Sequence, residues 1–320
     1  MTQHKFARFL AALLLLPVLF GFSFAQKKEK QKPEQRVRPM TIPISIFTKK
    51  ELKENQPEEF VQAGSLTVKE DNDEQVILSI RSVSNTPLHL AVLIQDDLSS
   101  NANLQLKDIG DFIRNLPTGS RVMVAYLRAG TNQVRQKFTE DLDKAAKSLR
   151  IIAGSAAVAP SSPYSGVEEA LDRFDALPTG RRAVLLVSDG LDASRGFSSS
   201  SPTQSIDLDR AILKAQRKSV AVYSFYNAAS LTDGGSSILI LNGQGSLNRL
   251  SQETGGRAYF QGTISPISFD PFFKDLNLAL NRQFALTYLS THFKKGYHKV
   301  EVTSTNPDIK IEHPRGYYYR

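Results

Sequence analysis

The chain has 320 residues, 41% of them hydrophobic, and no cysteine. That is enough apolar side chain for one large core or two modest ones, and it excludes disulfide frameworks, thiolate metal sites and cysteine nucleophiles. The formal net charge is +8, but Lys5 and Arg8 carry two of those charges and residues 26–38 a net four. The +2 that remains gives no basis for a nucleic-acid surface.

Lys5 and Arg8 precede an apolar run, Phe9 to Phe22, and Ser23-Phe24-Ala25 offers a small-residue cleavage site. This is the pattern of a secretory signal peptide over residues 1–25, too short and wrongly flanked for a transmembrane span. No later stretch is apolar enough to cross a bilayer, so the expectation is an exported soluble protein, periplasmic or secreted. Residues 26–40 are charged, Gln-rich and Pro-containing, the composition of a disordered linker. Residues 41–87 form an N-terminal β-rich segment. Thr41–Phe47 and Glu74–Arg81 alternate, and Ser65–Val68 is a short third strand. The acidic cluster Lys69–Asp73 lacks the Gly and spaced acids of a calcium loop and reads as a hairpin turn.

Residues 88–281 change character. Leu88–Ile94 is a continuous apolar run, the pattern of a strand covered on both faces. It is followed by a helix with Leu104, Ile109, Phe112, Ile113 and Leu116 inward, a strand at Arg121–Leu127 and a helix at Asp141–Leu149. A small-residue loop, Ala153–Ser162, leads to a helix from about Gly166 to Leu177 and a strand at Ala183–Val187. Arg195–Ser205 is a Ser-rich loop. Asp207–Lys218 reads as a helix, Val220–Tyr226 as a strand and Asn227–Gly245 as a Gly-rich loop. Leu247–Thr254 is a helix capped by Gly255-Gly256, Ala258–Phe260 a short strand, and Pro271–Asn281 a last helix. Strands alternating with helices predict an α/β fold with a doubly wound, mostly parallel sheet. Residues 282–320 return to β, and the two β-rich ends are expected to pair.

Two strands end in acids and hydroxyls: Leu88–Ile94 runs into Asp96, Asp97, Ser99 and Ser100, and Ala183–Val187 into Ser188-Asp189-Gly190. In open α/β sheets ligands bind outside the carboxyl ends of the strands, and hard oxygen donors gathered there suit Mg²⁺ or Mn²⁺. No Gly-x-Ser-x-Gly elbow, phosphate loop or His-Glu-x-x-His helix is present. The histidines beyond the leader, His89, His292, His298 and His313, form no nucleophile–base pair with a neighbour in sequence. The expectation is a protein that is not an enzyme.

These two strand ends, together with Leu250–Phe260 (LSQETGGRAYF), resemble a von Willebrand factor type A domain over about Leu88–Asn281. Glu74–Arg81, His298–Val302 and Arg315-Gly316-Tyr317 extend the resemblance to the exported von Willebrand-related proteins of acidobacteria. It implies a Rossmann-like sheet and a metal-ion-dependent adhesion site, built from Asp-x-Ser-x-Ser, a Thr on a second loop and an Asp on a third. The metal there keeps one position open for a partner's carboxylate. Placed on Asp96, the motif loses its first serine to Leu98 and keeps Ser100; placed on Asp97, it keeps Ser99 and turns the second serine into Asn101. Asp96 stands closer to the apolar strand and is preferred. The threonine position falls at Ser165, with Ser161 and Ser162 as weaker candidates, and the third-loop acid at Asp189. The expected metal set is therefore Asp96, Ser100, Ser165 and Asp189, holding Mg²⁺ or Mn²⁺, with a protein or peptide as partner. The competing expectation is a structural part of a cell-envelope assembly in which the metal site is vestigial.

Overall fold

The computed structural model describes residues 36–49, 66–153, 161–178, 180–229, 232–233, 236–262 and 264–319. The first β-rich end holds β1 (Arg38–Thr48), β2 (Leu66–Glu70) and β3 (Asp73–Ser82). The centre runs β4 (Leu88–Gln95), α1 (Leu106–Arg114), β5 (Arg121–Arg128), β6 (Thr131–Thr139), α2 (Leu142–Lys147) and α3 (Pro163–Asp172). It continues through β7 (Arg181–Ser188), α4 (Ile206–Lys218), β8 (Ala221–Tyr226), α5 (Ser237–Thr254), β9 (Ala258–Tyr259) and α6 (Asp270–Asn281). The last end holds β10 (Gln283–Ser290), β11 (Gly296–Ser304), β12 (Ile309–Glu312) and β13 (Gly316–Tyr319). The expected leader lies outside the described residues, as do most of the expected linker and of the loop Ala153–Ser162. The linker is shorter than expected, because Arg38–Met40 already pair with Ser290–Tyr288.

The central sheet has the order β6-β5-β4-β7-β8-β9, parallel throughout except for β6. The apolar run lies at its centre because both its faces are covered. Leu90, Val92 and Ile94 pack with Ile109 and Phe112 of α1 and Phe273 and Leu276 of α6. Ala91 and Leu93 point the other way, toward Val167 of α3, Ile212 of α4 and Leu247 of α5. Burying both faces removes any need for polar alternation.

Three elements differ from the sequence expectation. β6 was not foreseen: TNQVRQKFT offers only Val134 and Phe138 to the core, all that an edge strand covered on one face requires. Leu104 is not inward; it sits 63% exposed on a 3-10 turn, Ser100–Gln105, that precedes α1. From Ser237 on, the Gly-rich stretch expected to be a loop is instead the first half of α5, which passes through Gly243 and Gly245. A glycine inside a helix costs about 1 kcal/mol relative to alanine, and close packing, described below, offsets it.

The two β-rich ends form one antiparallel sheet in the order β12-β1-β10-β3-β2-β11-β13. Strands from the two ends interleave, with β1 and the β2–β3 pair each set between strands of the last end, around a core of Ile42, Ile44, Val68, Leu286, Tyr288 and Val300. The acidic cluster forms the β2–β3 turn, with Asp71 and Asn72 at φ 50° and 75°, the left-handed pair of a tight hairpin. Arg181 fastens this sheet to β7. Its guanidinium donates to the carbonyls of Ser84, Thr86 and Leu280 and to Gln283 Oε1, at 2.8–3.1 Å.

Candidate functional site

The site forms where β4 and β7 end side by side. Gln95 is the last residue of β4, and its Oε1 accepts hydrogen bonds from Ser188 Oγ (2.5 Å) and the Asp189 amide (3.2 Å). Beyond Gln95 the chain turns and the two acids part. Asp96 pairs with Arg150 at 2.6 Å, and that guanidinium lies over the Tyr126 ring, 4.2 Å from its centroid. Leu98 turns into the core, fully buried, and bridges to Ala229. The Ser99 amide donates to Ala228 O, while its Oγ is buried and has no hydrogen-bond partner.

Asp189 is 2% exposed. Its Oδ1 accepts from the Leu191 amide (3.0 Å) and its Oδ2 from Thr232 Oγ1 (3.2 Å). Burial pushes its carboxyl up to about 7, and the nearby charge of Asp97 adds to the rise against the hydrogen bonds that oppose it. The loop that presents Asp189 is set by two glycines. Gly190 has φ +70°, and a Cβ there would stand 2.4 Å from Gly243 O; a Cβ on Gly243 would stand 2.1 Å from Asp189 O. Backbone therefore rests on backbone where α5 crosses the loop, a contact that no side chain permits.

The structure brings Asp97 toward Asp189 and takes Asp96 away. Ser100 is exposed at the head of the 3-10 turn. Ser165, in the first turn of α3, donates to Asp207 Oδ2 at 3.3 Å. Ser194 reaches the same oxygen and also Asp192, which in turn accepts from Ser205 Oγ. Among the described residues no three His, Cys, Asp or Glu side chains converge as a metal group. Sequence reasoning passed over Gln95 and Thr232, and it ranked Asp97 and Ser99 second. The available signal was Gln95, a polar residue closing an apolar run: it marks the true strand end, from which alternate positions share a direction.

No family model and no curated protein matches the sequence. Solved structures similar to it include a von Willebrand factor type A protein from Catenulispora acidiphila, with TM-score 0.42, 10% identity and coverage of 79% of this chain and 74% of that one. An aerotolerance-related membrane protein from Bacteroides fragilis gives 0.43, 12%, 61% and 98%. The conserved hypothetical protein BatB from Bacteroides thetaiotaomicron gives 0.41, 13%, 60% and 97%. The weight falls on the sheet itself. Counted from β4, its order is 3-2-1-4-5-6, the doubly wound order with the third strand reversed. Ser188-Asp189-Gly190 stands at the end of the fourth of these strands, and Thr254-Gly255-Gly256 closes the helix before the sixth. The sheet has the doubly wound α/β order expected from the sequence.

At the end of α5 the Thr-Gly-Gly segment has a packing role. Gly255 takes the left-handed cap at φ +83°, and a Cβ on Gly256 would stand 2.1 Å from Val222 O. The Val222 amide donates to Thr254 Oγ1 (3.0 Å), which locks the end of α5 to β8. The loop edge of the domain is also apolar. Leu104, Ile151 and Ile267 are 63%, 75% and 83% exposed. Asn103 hydrogen-bonds both backbone groups of Ile152, and Gln105 Nε2 donates to the carbonyls of Pro266 and Ile267, so the three segments meet at residues 103–105.

Proposed function

We propose that this chain is an exported, non-catalytic protein-binding module whose partner docks on the loop edge around Asp97, Ser99 and Asp189. One observation carries the reading: Ser99 Oγ, buried without a hydrogen-bond partner, and the buried carboxyl of Asp189 stand at adjoining strand ends, while the neighbouring segments expose Leu104, Ile151 and Ile267. Contiguous exposed apolar residues mark interaction sites. The donors are hard oxygens, two carboxylates and a hydroxyl, and they fit Mg²⁺ or Mn²⁺ completed by water. Asp97, Ser99 and Asp189 would hold the ion; Asp96 is neutralised by Arg150 and Ser165 is engaged by Asp207. When bound, such an ion supplies a Lewis-acidic position for a carboxylate of the partner. His89 stands at the opposite end of β4, and the histidines beyond Asn281 fall outside this edge, which favours binding over catalysis. Among the described residues no helix is long and apolar enough to cross a membrane.

The test is a thermal melt in chelator and then with Mg²⁺, Mn²⁺ or Ca²⁺, since a ligand of the native state alone raises the midpoint by mass action. The midpoint should rise with Mg²⁺ or Mn²⁺, the rise should vanish in Asp189→Ala and Asp97→Asn, and it should survive in Asp96→Asn. Flat traces with all three ions would leave a vestigial site. Peptides selected on the immobilised protein should lose affinity when Leu104 and Ile267 become serine, and unchanged affinity would overturn the docking face. A second reading, a scaffold in an envelope assembly, is favoured by Val76 and Leu78, which stand 65% and 52% exposed on one side of β3. A partner lost on Leu78→Glu but indifferent to chelator would select it.

A further inference from the structure

At the amino ends of the parallel strands, opposite the loop edge, a cavity of about 670 Å³ opens between the central sheet and the flanking one. Its charges lie in a row. His89 on β4 is in register with Arg121 on β5 and with Arg182 on β7, so three basic side chains occupy adjacent strands at one level. Arg81 and Arg181 also line the cavity, and among its described lining residues Glu140 is the one acid. Glu140 is already engaged, accepting from Arg121 Nε and Nη2 at 3.0 and 2.8 Å.

Two buried nitrogens in this lining lack partners. His89 is 6% exposed and its Nδ1 makes no hydrogen bond; Arg182 Nε makes none either, although its Nη2 donates to the carbonyls of Leu177 and Pro178. Buried polar groups without partners are uncommon and call for an explanation. Burial, and then the charges of Arg121 and Arg182, lower the pKa of His89, so the imidazole holds a proton less readily than a free one. Pro43, Val83, Pro87 and Phe284 give the cavity an apolar stretch of wall, beside the uncharged polar groups of Thr41, Thr86, Ser219 and Gln283. The volume falls within the roughly 300–1,000 Å³ of small-molecule sites, so an inorganic ion alone would leave most of it empty.

We propose that this cavity binds a small organic anion, with its carboxylate or phosphate headgroup against the Arg121–His89–Arg182 row and its apolar body along Pro43, Val83 and Phe284. Guanidinium groups favour both headgroups, through paired charge-assisted hydrogen bonds. The site shares no residue with the loop edge, so it stands or falls independently of the function proposed above.

Calorimetric titration of the mature protein with octanoate and with octyl phosphate tests it, with octanol and inorganic phosphate as controls. One or both amphipathic anions should bind saturably at one site, and which of them binds identifies the headgroup. Arg182→Gln should weaken binding about tenfold or more, the loss of a charge-assisted contact worth roughly 1.4 kcal/mol. Ala285→Phe keeps the test decisive if Arg182→Gln fails to fold: it fills the cavity while leaving every charge in place, and it too should weaken binding. No saturable binding of either anion would overturn the proposal. So would inorganic phosphate binding as tightly as octyl phosphate, or affinities unchanged in both variants.

Discussion

Asp189 retains its proton to about pH 7 in the fold, whereas an unfolded aspartate releases it near 3.8. Between those values the folded state binds more protons than the unfolded state, so stability falls as pH rises, and the loss is complete above about pH 7. In chelator, the melting temperature should therefore decline from pH 5 to pH 8. Asp189→Asn should flatten that decline. The amide can still accept from Leu191, and Thr232 Oγ1 has an alternative acceptor in Ala229 O (3.3 Å), which frees it to accept from the new NH₂ group. Equal slopes in the two proteins would show that the decline has another source. At this scale the sequence was legible only in part. Asp189 could be placed because Ser-Asp-Gly follows an unambiguous strand. The preference for Asp96 rested on its nearness to the apolar run alone, and one residue of uncertainty in a strand end exchanges the directions of Asp96 and Asp97. Leu98, read as a missing ligand, proved to be a core residue.

At the scale of elements, α5 was hidden by the glycines that let it pack. Gly243 and Gly245 lie two residues apart in the same helix and face different surroundings. A methyl on Gly243 would meet the Asp189 carbonyl, and backbone cannot yield. Gly243→Ala should cost about 1–3 kcal/mol, the usual range for overpacking, and should disturb the Asp189 loop. A methyl on Gly245 would meet only side-chain atoms of the Pro202 ring, at 2.8 Å, and no backbone. Gly245→Ala should be close to neutral, since the helix gains up to about 1 kcal/mol in propensity. Chemical denaturation of the two variants compares them directly, and equal losses would contradict the backbone contact. The parallel strands were legible because two-sided burial writes itself as an apolar run. β6 was not, since one covered face leaves only Val134 and Phe138 as a trace.

At the scale of the molecule, the flanking sheet interleaves the two ends of the chain. β1 lies between β10 and β12, and β3 between β10 and β2. A protein ending at Asn281 would leave β1 without a neighbour on either side and would strip β3 of β10. Such a truncation should expose residues 38–48 and 66–82 to rapid amide exchange while the central sheet stays protected. Protection of both segments would mean that the first end pairs without the second. That the two ends would meet was readable from their shared β character, but the alternating order was not: strand order depends on which edges find partners, and no short-range pattern encodes it.

The interleaving also sets a clock. Residues 66–82 leave the ribosome about two hundred residues ahead of β10, at roughly 5–20 residues per second, so their strands exist for many seconds with edges unmet. Only when Gln283–Ser290 appears can β1 and β3 be joined through a common neighbour. The flanking sheet therefore cannot lock shut before β10 is made, and an interrupted chain bears its incompleteness openly, as bare strand edges that a protease or chaperone can read.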